Sequence, residues 1–339
     1  MTAQPRRYNV AIAGYGGVGK AVAEMLLERR ERYRAIYNAD IRLIAVCGSK
    51  AGLQSLDGLE PAALVGTPLA AGLTGEAFLR ASPIDILVEA GPTDFRTGGP
   101  GLAYIRDALS QRRHVIAISK GALVVAGAEL RELAGGAGVH LKVSGATAAA
   151  LPTLDLLTFN LLGSEVVQIE GILNGTSNYL LTEMVDHDVS FEDALSRARQ
   201  AGIAESDPSF DVEGWDTACK LLIIANFGLG ANLALAELTV CGINGVTRDQ
   251  LAEWRKVGKV PRLIGYLGRS GPRWTGGVEL RALSADDPLS LVRGKNKAIR
   301  ILTREMGEIL AAGGASDTRA TAGAALKDLE HILAGTLHL

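Results

Sequence analysis

Between Gly171 and Lys220 the chain reads GILNGTSNYLLTEM and then, further on, AGIAESDPSFDVEGWDTACK: a polar turn, an acid-rich loop and a lysine in apolar surroundings. Lys220 follows Cys219 and precedes Leu221, Leu222, Ile223 and Ile224, so a helix over Asp216 to Phe227 is apolar nearly all round and predicts burial. A lysine in such a place needs a partner or a substrate. Asp216 stands four residues before it, acid first. That spacing also describes an ordinary surface ion pair worth ~0.3–0.5 kcal/mol. The apolar flanks of Lys220 argue against the solvated version.

A second constellation lies near the amino terminus, in NVAIAGYGGVGKAVAEML. Gly14, Gly16 and Gly19 fit G-x-G-x-x-G between a β-prone run, Tyr8 to Ala13, and a helical one, Gly17 to Arg29. The three glycines serve a tight turn, close approach of backbone to a pyrophosphate, and close packing of helix on strand. Gly17 and Val18 open the helix whose positive end faces the phosphates. Where an acid would meet an NAD ribose, at the end of the second strand, the chain has Cys47, Gly48, Ser49 and Lys50. Ser49 and Lys50 suit a ribose 2′-phosphate and favour NADP over NAD, the other reading of Lys50 being a solvated loop lysine. Cofactor chemistry and a charged pocket on one chain point to a dehydrogenase, and to an α/β fold.

The elements needed to position these residues can be followed along the chain. Apolar strands at Ile41 to Cys47, Ile84 to Glu89 and His114 to Ile118 alternate with helices such as Leu102 to Gln111 and Gly127 to Ala134, as a doubly wound, Rossmann-type parallel sheet requires. After SGATAAALPTLD the pattern changes to strands at Val166 to Ile172 and Val278 to Leu283 with helices at Asn178 to Val185, Phe191 to Ala201 and Asp216 to Phe227, which predicts an α+β unit. The expected division is 1–140 for nucleotide binding, completed by a carboxyl-terminal segment of about 305–339 with a final helix near Thr321 to Leu333, and 141–304 for substrate.

Composition excludes several classes. Apolar residues make up 47% of 339, and the net charge is −2 with both signs well mixed, so neither nucleic acid nor an anionic membrane is expected as partner. Nothing approaches the ~18 apolar residues of a membrane span, and the amino terminus lacks a signal-peptide core, so a soluble cytoplasmic protein is expected. Cys47, Cys219 and Cys241 are too scattered for a disulfide framework or a metal site and read as buried thiols.

Residues 171–220, with F-x-x-A-L-x-x-A-x-x-x-G and A-E-x-D-P-x-x-D-x-x-G-x-D-x-A-x-K embedded in them, closely resemble the central signature of the homoserine dehydrogenase family. Weaker similarity extends through EAGPTDFRTGGPGLAYIRDALSQRRHVIAISKGAL upstream, and through DPLSLVRGKNKAIRIL and TAGAALKDL downstream. The resemblance implies reversible reduction of L-aspartate 4-semialdehyde to L-homoserine by hydride from NADP or NAD. It makes Lys220 the proton donor and acceptor, with Asp216 orienting Lys220 and the substrate hydroxyl, and Glu205 and Asp211 binding the substrate's amino end or hydroxyl. Lys120, after the fourth strand, takes a binding and catalytic role, and Thr93 and Ser119 lie at cofactor-contacting positions, as does Gly314; the other reading of Thr93 is a turn hydroxyl that caps the next helix. Asn174, Gly175, Thr176 and Ser177 present amides and hydroxyls to the substrate carboxylate or cap the following helix. A homodimer is expected from the family, and an appended regulatory domain is not. Other readings are a dehydrogenase for another small amino or hydroxy acid, and a sensor of nicotinamide state without turnover. A sensor needs no proton donor.

Three positions depart from the family's pattern. Ser119 replaces an asparagine, Ser144 in SGATAAALP replaces an acid near a backbone-carbonyl site for a monovalent cation, and GGASD from Gly313 to Asp317 replaces a GxGAG loop.

Overall fold

The computed structural model describes residues 4–335, and the chain forms two compact units, one reaching Ala150 and including the segment from Asp317 onward, the other running from Leu151 to Ser316. The first unit holds β1 (Arg6–Ala13), β2 (Ala39–Cys47), β3 (Ala51–Gln54), β4 (Ala70–Ala71), β5 (Ile86–Glu89), β6 (His114–Ala117) and β7 (Leu141–Lys142), in the order β4-β3-β2-β1-β5-β6-β7. Strands β2, β1, β5, β6 and β7 are parallel, whereas β3 and β4 fold back antiparallel at one edge. The parallel strands are near-continuous apolar runs because helices cover both faces. From β1 the chain turns first to β2 on one side and later to β5 on the other, which makes the carboxyl ends of β1 and β5 the switch point where such sheets bind ligands.

Two helices share the core beside β1. Val22 and Leu26 of the Gly17–Glu28 helix are buried together with Ala325, Leu326 and Leu329 of the Thr318–Leu333 helix. Asp328 of that last helix, itself buried, accepts the Ser144 backbone N–H at 2.9 Å and its hydroxyl at 2.7 Å. The ends of the two units therefore fall at Ala150/Leu151 and Ser316/Asp317, later than the 140 and 305 expected from sequence. The reason is local pairing: Ser144 is tied to the last helix, and residues 307–313 form a strand of the other sheet.

The second unit holds β8 (Val166–Ile172), β9 (Thr239–Val240), β10 (Lys259–Ser270), β11 (Arg273–Ser284), β12 (Lys297–Thr303) and β13 (Gly307–Gly313), ordered β13-β12-β8-β10-β11-β9. All pairings are antiparallel except that of β11 with β9. Sequence reading anticipates β8 and part of β11 but not β10, β12 or β13, since KVPRLIGYLGRS carries Pro261 and two glycines and GEILAAG lacks a long apolar run. The Trp215–Ile223 helix packs on β10, where a Cβ on Gly265 would lie 3.1 Å from Thr217 Cγ2 and 3.5 Å from Leu221 Cδ1. It continues through a wider turn over Ile224–Gly228. Of the three cysteines, Cys47 and Cys219 are buried, but Cys241 is exposed, contrary to expectation, because it follows the short edge strand β9. Among the described residues no helix is long and apolar enough to cross a membrane.

Candidate active site

The polar turn after β8 is built around Asn174. Its side-chain oxygen caps the Gly175–His187 helix by accepting the Ser177 N–H at 2.8 Å. Its amide nitrogen then donates to two carboxylates, Asp211 Oδ1 at 2.6 Å and Asp216 Oδ2 at 2.7 Å. Asp216 Oδ2 also meets Lys220 Nζ at 2.6 Å, and Nζ donates to the Leu173 carbonyl at 2.8 Å. The lysine and aspartate side chains are only 15% and 9% exposed, so this i,i+4 pair is not the solvated kind. One turn of chain, Leu173 to Asn174, thereby holds both members of the pair.

Asp211 sits in the short Ser209–Val212 helix, within the field of the same groups. Burial pushes its carboxyl above the ordinary range, and the neighbouring negative charge of Asp216 adds to that; the Asn174 amide, Lys220 and Thr176 pull the other way. Thr176 donates its hydroxyl to the Ile203 carbonyl at 3.3 Å, and a Cβ on Gly175 would lie 2.9 Å from the Lys295 carbonyl oxygen. Glu205 does not join the cluster. It is exposed in the bend after the Phe191–Gln200 helix, and no hydrogen bond or ion pair connects it to another described residue. Asp207, one of the acids nearby, orders its own loop by accepting the Ser209 N–H at 3.1 Å.

At the switch point of the first sheet, Gly14 has φ of 100°, and a Cβ there would stand 2.3 Å from the Ala90 carbonyl carbon. A Cβ on Gly19 would be 2.0 Å from the Gly14 oxygen. These two glycines are required by packing. Gly16 differs: nothing lies within 4 Å of its missing Cβ, and no side chain caps the helix it begins. Gly16 and Gly17 are exposed and Val18 half-buried, so the first-turn amides are open to an anion. That arrangement fits the pyrophosphate of a dinucleotide. Ser49 and Lys50 are both exposed on the β2–β3 turn, closed by the Gly48 N–H donating to the Ala51 carbonyl at 2.8 Å.

Around β5 and β6, the exposed Thr93 accepts the Lys120 backbone N–H at 3.4 Å, so these two expected residues are neighbours. The Ser119 hydroxyl, by contrast, is occupied: it donates to Glu89 Oε2. Glu89 is a residue that the sequence reading did not single out. It is buried at the end of β5, accepts the Gly91 N–H at 2.8 Å, and would lie 2.9 Å from a Cβ on Gly101. Burial raises its carboxyl, while the bonds from Ser119 and Gly91 oppose that shift. A charged residue closing an apolar parallel strand beside a glycine was the available signal. Gly314 follows β13 at φ of 77° and belongs to the second unit.

Comparison with known proteins identifies the family. A family model described as homoserine dehydrogenase matches residues 152–329, and one described as the homoserine dehydrogenase NAD binding domain matches residues 14–144. The chain is 32% identical over 338 residues to an NAD(+)-dependent homoserine dehydrogenase of Pseudomonas canavaninivorans, covering 96% of each. It is 31% identical over 339 residues to a homoserine dehydrogenase of Methanocaldococcus jannaschii, covering 97% of this chain and 99% of that one. A solved homoserine dehydrogenase structure from Thiobacillus denitrificans superposes with a TM-score of 0.86 at 25% identity, over 97% of this chain and 73% of the other.

Proposed function

The chain belongs to the homoserine dehydrogenase family, and we propose that Lys220 is the group that gives and takes the proton when L-aspartate 4-semialdehyde and L-homoserine are interconverted. The observation that carries this reading is the buried Asp216–Lys220 pair anchored by Asn174 and the Leu173 carbonyl. When bound, the nicotinamide supplies or accepts the hydride. Two of the three N–H bonds of Lys220 are spent on Asp216 and Leu173, leaving one for the substrate oxygen. As the carbonyl becomes an alkoxide, that N–H stabilises the charge and then passes its proton; in oxidation the sequence reverses. Asp216 fixes the lysine's position and balances its charge.

Two acids are assigned to the substrate's ammonium, Asp211 within the cluster and Glu205 from the loop outside it. Glu205, exposed and without a partner among the described residues, has nothing to release before binding. Glu205→Gln should therefore raise KM for homoserine about tenfold, with kcat within about threefold, because one charge-assisted contact is worth roughly 1.5–3 kcal/mol. Steady-state kinetics showing both constants unchanged would remove Glu205 from the site. The amides of Gly175 and Thr176, at the start of their helix, offer donors to the carboxylate end of the substrate. Lys120 and Thr93, joined to each other, together with Ser119 serve the cofactor in this reading.

The cofactor is a nicotinamide dinucleotide, and NADP is the proposed form. Support comes from the β2–β3 turn, which carries no carboxylate and exposes Ser49 and Lys50 where a 2′-phosphate would be read. The NAD(+) dependence of the Pseudomonas relative favours NAD as the second reading. Lys50→Ala should raise KM for NADPH about tenfold and leave that for NADH alone, the scale of one lost phosphate contact. An enzyme indifferent to the change in both assays would leave Lys50 an ordinary loop lysine.

A homodimer is also proposed, in a cytoplasmic enzyme of amino-acid biosynthesis. Its support is the edge position of β13 and the exposed apolar side chains of Leu302, Met306 and Leu310 on the β12–β13 hairpin, which a second copy could cover. Sedimentation at monomer mass across micromolar concentrations would refute it.

A further inference from the structure

A second lysine stands near the Asp216–Lys220 pair. Lys297 begins β12, where Ala298 faces Ile172 and Ile299 faces Gly171 of β8. Extending that antiparallel register by one residue puts Lys297 level with Leu173, whose carbonyl holds Lys220. The preceding segment is firmly built: Asn178 Nδ2 donates to the carbonyls of Val292, Gly294 and Asn296 at 3.1, 2.9 and 3.1 Å, and the Gly294 N–H donates to Thr182 Oγ1 at 3.1 Å. Lys295 rests on Gly175 at the start of the same helix. On the other side Lys297 Nζ lies 3.5 Å from the Ala315 carbonyl.

Lys297 is only 2% exposed. Burial and the charge of Lys220 lower its ammonium to about 8, while Asp216 acts in the opposite sense, so all three groups share one field. Packing alone would be served better by methionine or leucine, since a second buried cation beside Lys220 is costly. Two acids and two lysines, Asp211, Asp216, Lys220 and Lys297, make a neutral cluster suited to a zwitterion. The acids match its ammonium and Lys220 its reacting oxygen. Its carboxylate still needs a cation.

We propose that Lys297 holds the α-carboxylate of the substrate and so restricts the enzyme to substrates that carry one, a role that rests on the homoserine reading above. The test compares wild type, Lys297→Met and Lys297→Arg with L-homoserine and with its carboxamide, which lacks the negative charge. Lys297→Met should raise KM for homoserine about 30-fold or more, with kcat within about threefold, and should no longer discriminate homoserine from the amide; Lys297→Arg should restore most of the preference. Cofactor affinity and the thermal transition report folding separately. The proposal is overturned if Lys297→Met keeps both the wild-type KM and the wild-type discrimination. It is equally overturned if the variant loses homoserine and amide activity alike and arginine does not rescue. A wild-type enzyme inert toward homoserine would overturn the functional reading as well.

Discussion

Lys220→Ala should lower kcat at least ~100-fold, the usual scale for losing a positioned proton donor, in both directions of the reaction. The chain should still fold cooperatively, though less stably. The lysine's removal leaves Asp216 with the Asn174 amide but without its cation, and stranding one member of a mostly buried pair costs on the order of 1–3 kcal/mol. Alanine alone confuses two roles, since it deletes the charge and the proton together. Lys220→Arg separates them: a guanidinium keeps the pair with Asp216 but does not release a proton in the working pH range. Both variants should therefore be slow, with arginine the more stable. Arginine turning over at near the wild-type rate would sink the proton-transfer role and leave Lys220 an electrostatic strut.

What the sequence could reveal about this site follows the distance over which each contact acts. The Gly14, Gly16 and Gly19 spacing and the Asp216–Lys220 pair are local patterns, set by one turn and one helix, and they are readable without a fold. Burial of the pair follows from its apolar neighbours. Asn174 could be read as a cap, but not as the donor shared by Asp211 and Asp216, because that depends on how three segments meet. Lys297 was invisible for the same reason: it arrives on β12, whose place beside β8 is decided by pairing across the sheet. Departures from the family's pattern likewise acquire partners only in three dimensions. Ser144 is bound by Asp328, and Ser119 by Glu89, each from a distant part of the chain. Glu205 shows the converse, an acid inside the strongest motif that stays outside the hydrogen-bonded cluster.

Asn174→Asp should be nearly as damaging as loss of the lysine, although it changes a single NH2 to an oxygen. Aspartate caps helices as well as asparagine does, so the bond from the Ser177 N–H survives and the Gly175–His187 helix keeps its start. What disappears is the donor that separates Asp211 from Asp216. In its place a third carboxylate meets two others at hydrogen-bond distance, in a site where burial and Asp216 already push the Asp211 carboxyl upward. Carboxylates this close cannot all remain ionised; a proton is taken up, or Lys220 is drawn away from the Leu173 carbonyl to neutralise them. Either response misplaces the group expected to meet the substrate oxygen, and kcat/KM should fall about 100-fold or more. Asn174→Ser, which also caps but adds no charge, should lose less. If the aspartate and serine variants proved equally impaired, the cap rather than the separation of carboxylates would be the function of Asn174. Comparing their pH–rate profiles sharpens the distinction, because only the aspartate variant adds a titrating group, and its acid limb should move to higher pH.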